Sequence, residues 1–286
     1  MIDLHAHTNK SDGSLAPAEL VALAGRQGLR TLAITDHDTL EGYDDALPHA
    51  RAAGLELICG VELSSRFHGR TIHILGHFFN GEPGEEFRRH LTCLQTARRE
   101  RNDRLAARLR ELGLQVERAE AERFGNSQTG RPHFARLLVD KGYVANIREA
   151  FDRYLDESAP GYVERREASL DNIIGWIHQA GGLASWAHPV RLIRDSGLSV
   201  ESLFREIAGH GIDGIEAYHS DHGPEDQARY LAVAGKLGLA VTGGSDFHGE
   251  SKPHIGLGQV VLPAVSLEGL RRLTRRLARP TRPAAC

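Results

Sequence analysis

Seven short apolar runs, at residues 2–7, 30–35, 56–61, 71–78, 182–187, 214–218 and 239–243, alternate with amphipathic stretches of helical period, and most of them end in, or run directly into, a histidine or a carboxylate. Strand followed by helix, repeated, is the pattern of βα units, whose strands lie parallel in one sheet. The chain has 286 residues, enough to bury the core of one barrel. Its 31 glycines and 6% aromatic content suit many tight strand-to-helix turns better than a sandwich of long strands. The expected class is therefore α/β with parallel strands. One helix opens at Pro17, a residue suited to a first helical turn, and ends at Gly28; others cover 169–180, 199–209 and 224–238. Pro48 is expected to interrupt the helix that starts after Glu41.

Residues 85–163 break the rhythm. They carry a long Arg/Glu/Leu helix at 95–112, then shorter helical pieces separated by Gly125, Gly130 and Pro132, and predict a helical insertion between barrel segments 1–84 and 164–286. Arg98, Arg99, Arg101, Arg104, Arg108 and Arg110 crowd the long helix, but Glu100 and Glu111 share it, which points to a solvated face rather than a nucleic-acid stripe. The basic tail at 271–282, with Pro280 and Pro283, reads as a terminal helix that frays. A net charge of −3 gives no global field to hold long nucleic acid, so any such contact must be local. Cys59, Cys93 and Cys286 are odd in number and widely spaced, which argues against a disulfide framework or a thiolate metal site. No apolar run is long enough to cross a bilayer, and the first strand opens at Ile2 with no leader ahead of His5, so a cytoplasmic protein is expected.

Sixteen histidines against one methionine is the unusual count, and their placement carries the chemistry. Asp3, His5 and His7 alternate along the first run, so a regular strand would point all three one way. Later runs end in Ile34-Thr35-Asp36-His37-Asp38, Gly60-Val61-Glu62, Ala187-His188-Pro189, Tyr218-His219 and Ser245-Asp246-Phe247-His248. The C-terminal rim of a parallel barrel is where residues distant in sequence converge into an active site. Histidine with carboxylate suits zinc, manganese or iron, and a carboxylate can bridge two ions. Any one of these residues has a bland reading as a locally satisfied polar group; the set does not.

With His5-Ala6-His7-Thr8 followed by Ser11-Asp12-Gly13, then Thr35-Asp36-His37-Asp38, Gly60-Val61-Glu62, Ala187-His188-Pro189 and Gly244-Ser245-Asp246-Phe247-His248, the chain resembles the PHP (polymerase and histidinol phosphatase) family. Within it, the wording is similar to the branch of nucleoside 3′,5′-bisphosphate phosphatases and 5′-to-3′ exoribonucleases. The resemblance implies a distorted seven-stranded (β/α) barrel and a site for two or three divalent ions, Mn²⁺ with Zn²⁺ or Fe²⁺ as alternatives. It implies that His5, His7, Glu62 and Asp246 hold one ion, that Glu62 bridges to a second held also by His188, and that Asp12, His37 and His248 hold a third. Asp12 stands where many members of the family have histidine. The remaining ligand is His73 or His77, four apart in one strand; His73 matches the family pattern better. Arg131, His133, Arg191 and His219 are the candidates to bind substrate, with His219 also the candidate acid for the leaving oxygen. The implied reaction is hydrolysis of the 3′-phosphate of a nucleoside 3′,5′-bisphosphate by water activated at the ions. Rivals are a 5′-to-3′ exoribonuclease on short 5′-phosphorylated RNA, a histidinol-phosphate phosphatase and a non-catalytic PHP module; a carbon–nitrogen hydrolase is disfavoured.

Overall fold

The computed structural model describes residues 1–125, 129–164 and 167–277. Seven strands form one sheet in chain order: β1 (Ile2–Asp3), β2 (Thr31–Ile34), β3 (Glu56–Phe67), β4 (Arg70–Phe78), β5 (Leu183–Trp186), β6 (Gly214–His219) and β7 (Ala240–Gly244). The sheet curls until its ends meet. Beyond β1 and β7 the chain closes the barrel through Leu4 N to Gly243 O at 3.1 Å, Asp246 N to His5 O at 2.9 Å and His7 N to Phe247 O at 2.9 Å.

The expectation of parallel strands throughout fails at β4, which runs antiparallel to both β3 and β5. The cause is local: β3 and β4 are joined by His68 and Gly69 alone, with φ of 50° and 72°. Two successive positive φ values make the tight hairpin turn that matches strand twist. The hairpin also lengthens β3, so Glu62 lies within that strand, paired with Leu75, rather than at its end.

The helices in chain order are α1 (Pro17–Arg26), α2 (Glu41–Ala53), α3 (Glu85–Glu111), α4 (Arg118–Gly125), α5 (Arg131–Asp140), α6 (Ile147–Ala150), α7 (Leu170–Gln179), α8 (Val190–Ser196), α9 (Val200–Gly209), α10 (Pro224–Leu237) and α11 (Ala264–Leu277). α1 starts on Pro17, and the Glu19 carboxylate accepts the Ala16 amide at 2.8 Å, satisfying a donor that the helix itself cannot. α2 runs unbroken through Pro48, against expectation. The proline ring removes only the bond to the Asp44 carbonyl, while Tyr43 and Ala46 before it and Ala50 after it are buried on one face. α3 starts ten residues earlier than the sequence suggests. Its first half, through Phe87, Leu91 and Leu94, packs into the barrel's main core, while Leu105 and Leu109 belong to a second cluster with Phe134, Leu137, Leu138 and Leu155. One helix thus serves both the barrel and the insertion. The expected frayed end at 278–282, with Pro280, Pro283 and Cys286, lies outside the described residues.

Candidate metal centre

β1 stops at Asp3, so His5 and His7 do not stand on a regular strand, and Asp3 does not point with them. Its carboxylate accepts the amides of His5 at 3.2 Å, Ser245 at 2.9 Å and Gly258 at 2.8 Å, tying the first segment of the barrel to the last. Asp36 does the same for the next loop: it accepts the Thr8 amide and hydroxyl at 2.8 and 2.6 Å and the Ser11 hydroxyl at 2.6 Å. Wholly buried carboxylates thus fix the backbone on which the histidines stand.

Glu62 is the centre. Its Oε2 faces His7 Nε2 at 3.1 Å, His5 Nε2 at 3.3 Å and His37 Nδ1 at 3.5 Å, while its Oε1 faces His73 Nδ1 at 2.8 Å and His188 Nε2 at 3.0 Å. Two oxygens aimed at two histidine sets is the arrangement of a bridging carboxylate. Asp246 Oδ1 lies 3.4 Å from both His5 Nε2 and His7 Nε2. Asp12 lies 3.3 Å from His248 Nε2 and 3.6 Å from His37 Nε2. All nine residues expected as ligands therefore fall in one continuous cluster. Of the two candidates on β4, His73 is beside Glu62, whereas His77 donates to the Leu4 carbonyl at 2.8 Å deep in the barrel.

The donor set suits a cation. Ligand atoms of His5, His7, Glu62 and Asp246, of His7, Asp12, His37 and His248, and of His37, Glu62 and His73 each lie within 4.8 Å of one another. Buried His7 Nε2, His37 Nδ1 and His73 Nδ1 find no hydrogen-bond partner among the described residues. Such orphaned lone pairs, all facing carboxylates, are what divalent zinc, manganese or iron would satisfy. Electrostatics agree. Burial pushes the Glu62 carboxyl up, but the rings of His37, His73 and His5 outweigh it and hold it well below its usual range. Asp12 and Asp246 are lowered likewise by their histidines. Backbone strain collects here too: Asp38, His188 and Asp246 have φ of 53°, 30° and 57°.

A cavity of about 260 Å³ opens over the cluster, with Asp12, His37, Glu62, His73, Asp246 and His248 on one wall and Arg98, Arg101, Arg131 and His133 on the other. Arg191 also lines it, bonded to Asp246 at 2.7 Å and Asp221 at 2.8 Å. Arg131 reaches the Leu155 carbonyl at 3.3 Å and lies over the Tyr162 ring. His133 accepts the Gly130 amide on Nδ1 at 2.9 Å, which leaves the proton of the neutral ring on Nε2. His219 is placed otherwise than expected. Its side chain is fully buried and does not line the cavity; Nδ1 accepts the Asp221 amide at 2.9 Å and Nε2 lies 3.5 Å from Asp246. The ring thus presents no atom on the cavity wall from which a leaving group could take a proton directly.

The arginine helix also departs from expectation. Arg98 and Arg101 are only 8% and 5% exposed, and Arg98 pairs with Asp38. The signal was available in the period: 87, 91, 94, 98, 101, 105 and 109 trace one helical stripe, in which the two arginines take the place of apolar residues. Lys252, 2.7 Å from Asp246 Oδ2 on the cavity wall, and Glu216, behind His5, were also missed; a charged residue inside the apolar run 214–218 was the hint for the latter.

The PHP domain family matches residues 3–187. A 3′,5′-nucleoside bisphosphate phosphatase of Chromobacterium violaceum is 35% identical over 284 residues, 98% of each chain. A 5′-3′ exoribonuclease of Haemophilus influenzae is 38% identical over 248 residues, 86% of this chain and 89% of its own. Among solved structures, a candidate metal-dependent phosphoesterase of Bifidobacterium adolescentis superposes with a TM-score of 0.83 at 30% identity, covering 94% of both chains. On the barrel, the histidine and carboxylate cluster and these likenesses together, the chain belongs to the PHP domain family and is a metal-dependent phosphoesterase.

Proposed function

We propose that the chain hydrolyses the 3′-phosphate of nucleoside 3′,5′-bisphosphates at divalent ions that His5, His7 and Asp246, His73 and His188, with Glu62 between the two sets, would hold. Asp12, His37 and His248 would hold a further one. Bound divalent ions supply an acidified water and positive charge for the phosphoryl oxygens. The observation that carries the reading is the cavity's second wall: Arg101 and Arg131 stand opposite the cluster, where a second phosphate would need cations, beside an Arg98 already paired with Asp38. Arg191 and Lys252, both bonded to Asp246 at 2.7 Å, flank the reacting phosphate. His133, with its proton on Nε2, orients the substrate as a neutral donor, and burial and the charges of Arg98 and Arg136 keep it neutral by lowering its pKa. The relatives carry both activities, a phosphatase 35% identical over 98% of this chain and an exoribonuclease 38% identical over 86% of it, so the second reading stands beside the first in the test.

The test is a substrate panel with Mn²⁺ and a chelator control. Adenosine 3′,5′-bisphosphate should release phosphate far faster than AMP does. Faster release of mononucleotides from short 5′-phosphorylated RNA would replace this reading with the second, and activity that survives chelation would remove both.

A further inference from the structure

Glu216 sits in the middle of β6, wholly buried, and stands outside the three ligand sets proposed above, although ligand atoms of Glu216, His5 and His219 also lie within 4.8 Å of one another. Its Oε1 is 3.0 Å from His5 Nδ1, and its Oε2 accepts the backbone amide of His188 at 2.8 Å. The far sides of these two residues face Glu62: His5 Nε2 is 3.3 Å from Oε2 and His188 Nε2 is 3.0 Å from Oε1. One carboxylate therefore stands behind a histidine on each side of the bridging residue.

Both contacts have chemical consequences. A carboxylate can only accept, so the neutral His5 ring must carry its proton on Nδ1 and turn its lone pair on Nε2 toward Glu62 and Asp246. The His188 amide matters because that residue has φ of 30°, a backbone state that persists only where its surroundings enforce it. β6 pairs with β5 through Gly214 and Ile215 and with β7 on both sides of a register shift that begins at Glu216, which ties the carboxylate's backbone into the sheet. We propose that Glu216 is a positioning residue that presents His5 and His188 to the metals as one unit, fixing the tautomer of the first and the backbone of the second. The inference rests on the metal-centre reading of the cluster.

Glu216→Gln separates the two contacts from mere packing. The amide keeps the shape but offers one oxygen. If that oxygen holds the His188 amide, the NH₂ group faces His5 Nδ1 and moves the ring proton to Nε2, where the lone pair is needed. If it turns the other way, NH₂ meets the His188 N–H. Mn²⁺ titrated calorimetrically into the metal-free full chain should bind about 10–100-fold more weakly in the variant. Ring ¹⁵N shifts, read with diamagnetic Zn²⁺ added so that the liganded ring is neutral, should report His5 protonated on Nδ1 in the wild type and a changed tautomer or a released ring in the variant. A variant that binds Mn²⁺ as tightly as the wild type overturns the proposal, even if it melts at a lower temperature, because Glu216 would then be structural only. Should E216Q not fold, E216D carries the test: weaker Mn²⁺ binding by a folded protein supports the role, and unchanged binding overturns it. Wild-type protein that binds no Mn²⁺ would instead remove the metal-centre reading and this inference with it.

Discussion

The two walls of the cavity are anchored differently. On the barrel side, Asp3, Asp36 and Glu216 accept backbone amides, so the histidines stand on a main chain pinned by buried carboxylates. On the insertion side, Arg101 and Arg131 reach the cavity through long side chains from α3 and α5, and Arg131 rests on a carbonyl and the Tyr162 ring. A backbone-anchored group is held to a fraction of an ångström, as bridging ligands require, whereas a guanidinium on four rotatable bonds can follow its ligand. Rate should therefore depend on the first wall and selectivity on the second.

The largest effect expected is on the barrel wall. His188→Ala or Asp246→Ala should lower kcat by several kcal/mol, about a thousandfold, because each removes a group facing Glu62 or its histidines. Far-ultraviolet circular dichroism should remain that of the wild type, since neither residue belongs to the apolar clusters of the core. Near-normal turnover in either variant would break the comparison at its root.

Next comes the joint between the walls. Arg98 on α3 bonds the carboxylate of Asp38, which follows His37 and has a positive φ. Removing the guanidinium leaves that buried carboxylate without this partner, and Arg98→Ala should cost about 3 kcal/mol in urea unfolding. Arg108→Ala, on the same helix but exposed beside Glu111, should stay within about 0.5 kcal/mol of wild type. Equal losses would mean that the buried arginine is no more than surface charge.

Selectivity is a smaller term. Arg131→Ala should reduce kcat/KM for a 3′,5′-bisphosphate about 10–100-fold, the worth of one or two charge-assisted hydrogen bonds, while sparing p-nitrophenyl phosphate, which has no second phosphate. Equal losses on both substrates would place Arg131 on the reacting group or in stability, and would leave Arg101 as the remaining anchor.

The barrel wall was also the more legible. All seven strands could be placed from short apolar runs, and strand ends such as Ile34-Thr35-Asp36-His37 announce themselves because turn chemistry and metal ligands share the same few residues. The direction of β4 was not legible, because apolar periodicity is the same in either direction; only the His68-Gly69 turn encodes it. Buried carboxylates were hardest. Asp3 alternates with His5 and His7 as a ligand would, yet it caps three amides, and that depends on where Ser245 and Gly258 come to lie, far along the chain. Arg98 and Arg101 were hidden by composition, since an arginine-rich helix suggests a wet face until its stripe is traced.

The smallest effect separates the buried histidine–carboxylate cluster from the same chemistry left half exposed. His178 Nε2 lies 2.7 Å from Asp213 Oδ2, and that oxygen also accepts the Ala184 amide at 2.8 Å. The hydrogen bond to Asp213 raises the His178 pKa above its ordinary value, against the opposing effect of partial burial. A histidine whose folded pKa is raised binds its proton more tightly in the native state, so the stabilisation is complete below the unfolded pKa of about 6.5 and is lost as pH rises through the folded value. With a third of the histidine side chain in water, screening limits the contribution to under about 1 kcal/mol. Unfolding free energy measured against pH with chelator present should therefore fall slightly above pH 6.5 in the wild type, and that part of the slope should vanish in His178→Gln. An unchanged slope would show that this pair contributes nothing. A loss as large as that from Arg98→Ala would show that burial is not what divides strong charge pairs from weak ones in this protein.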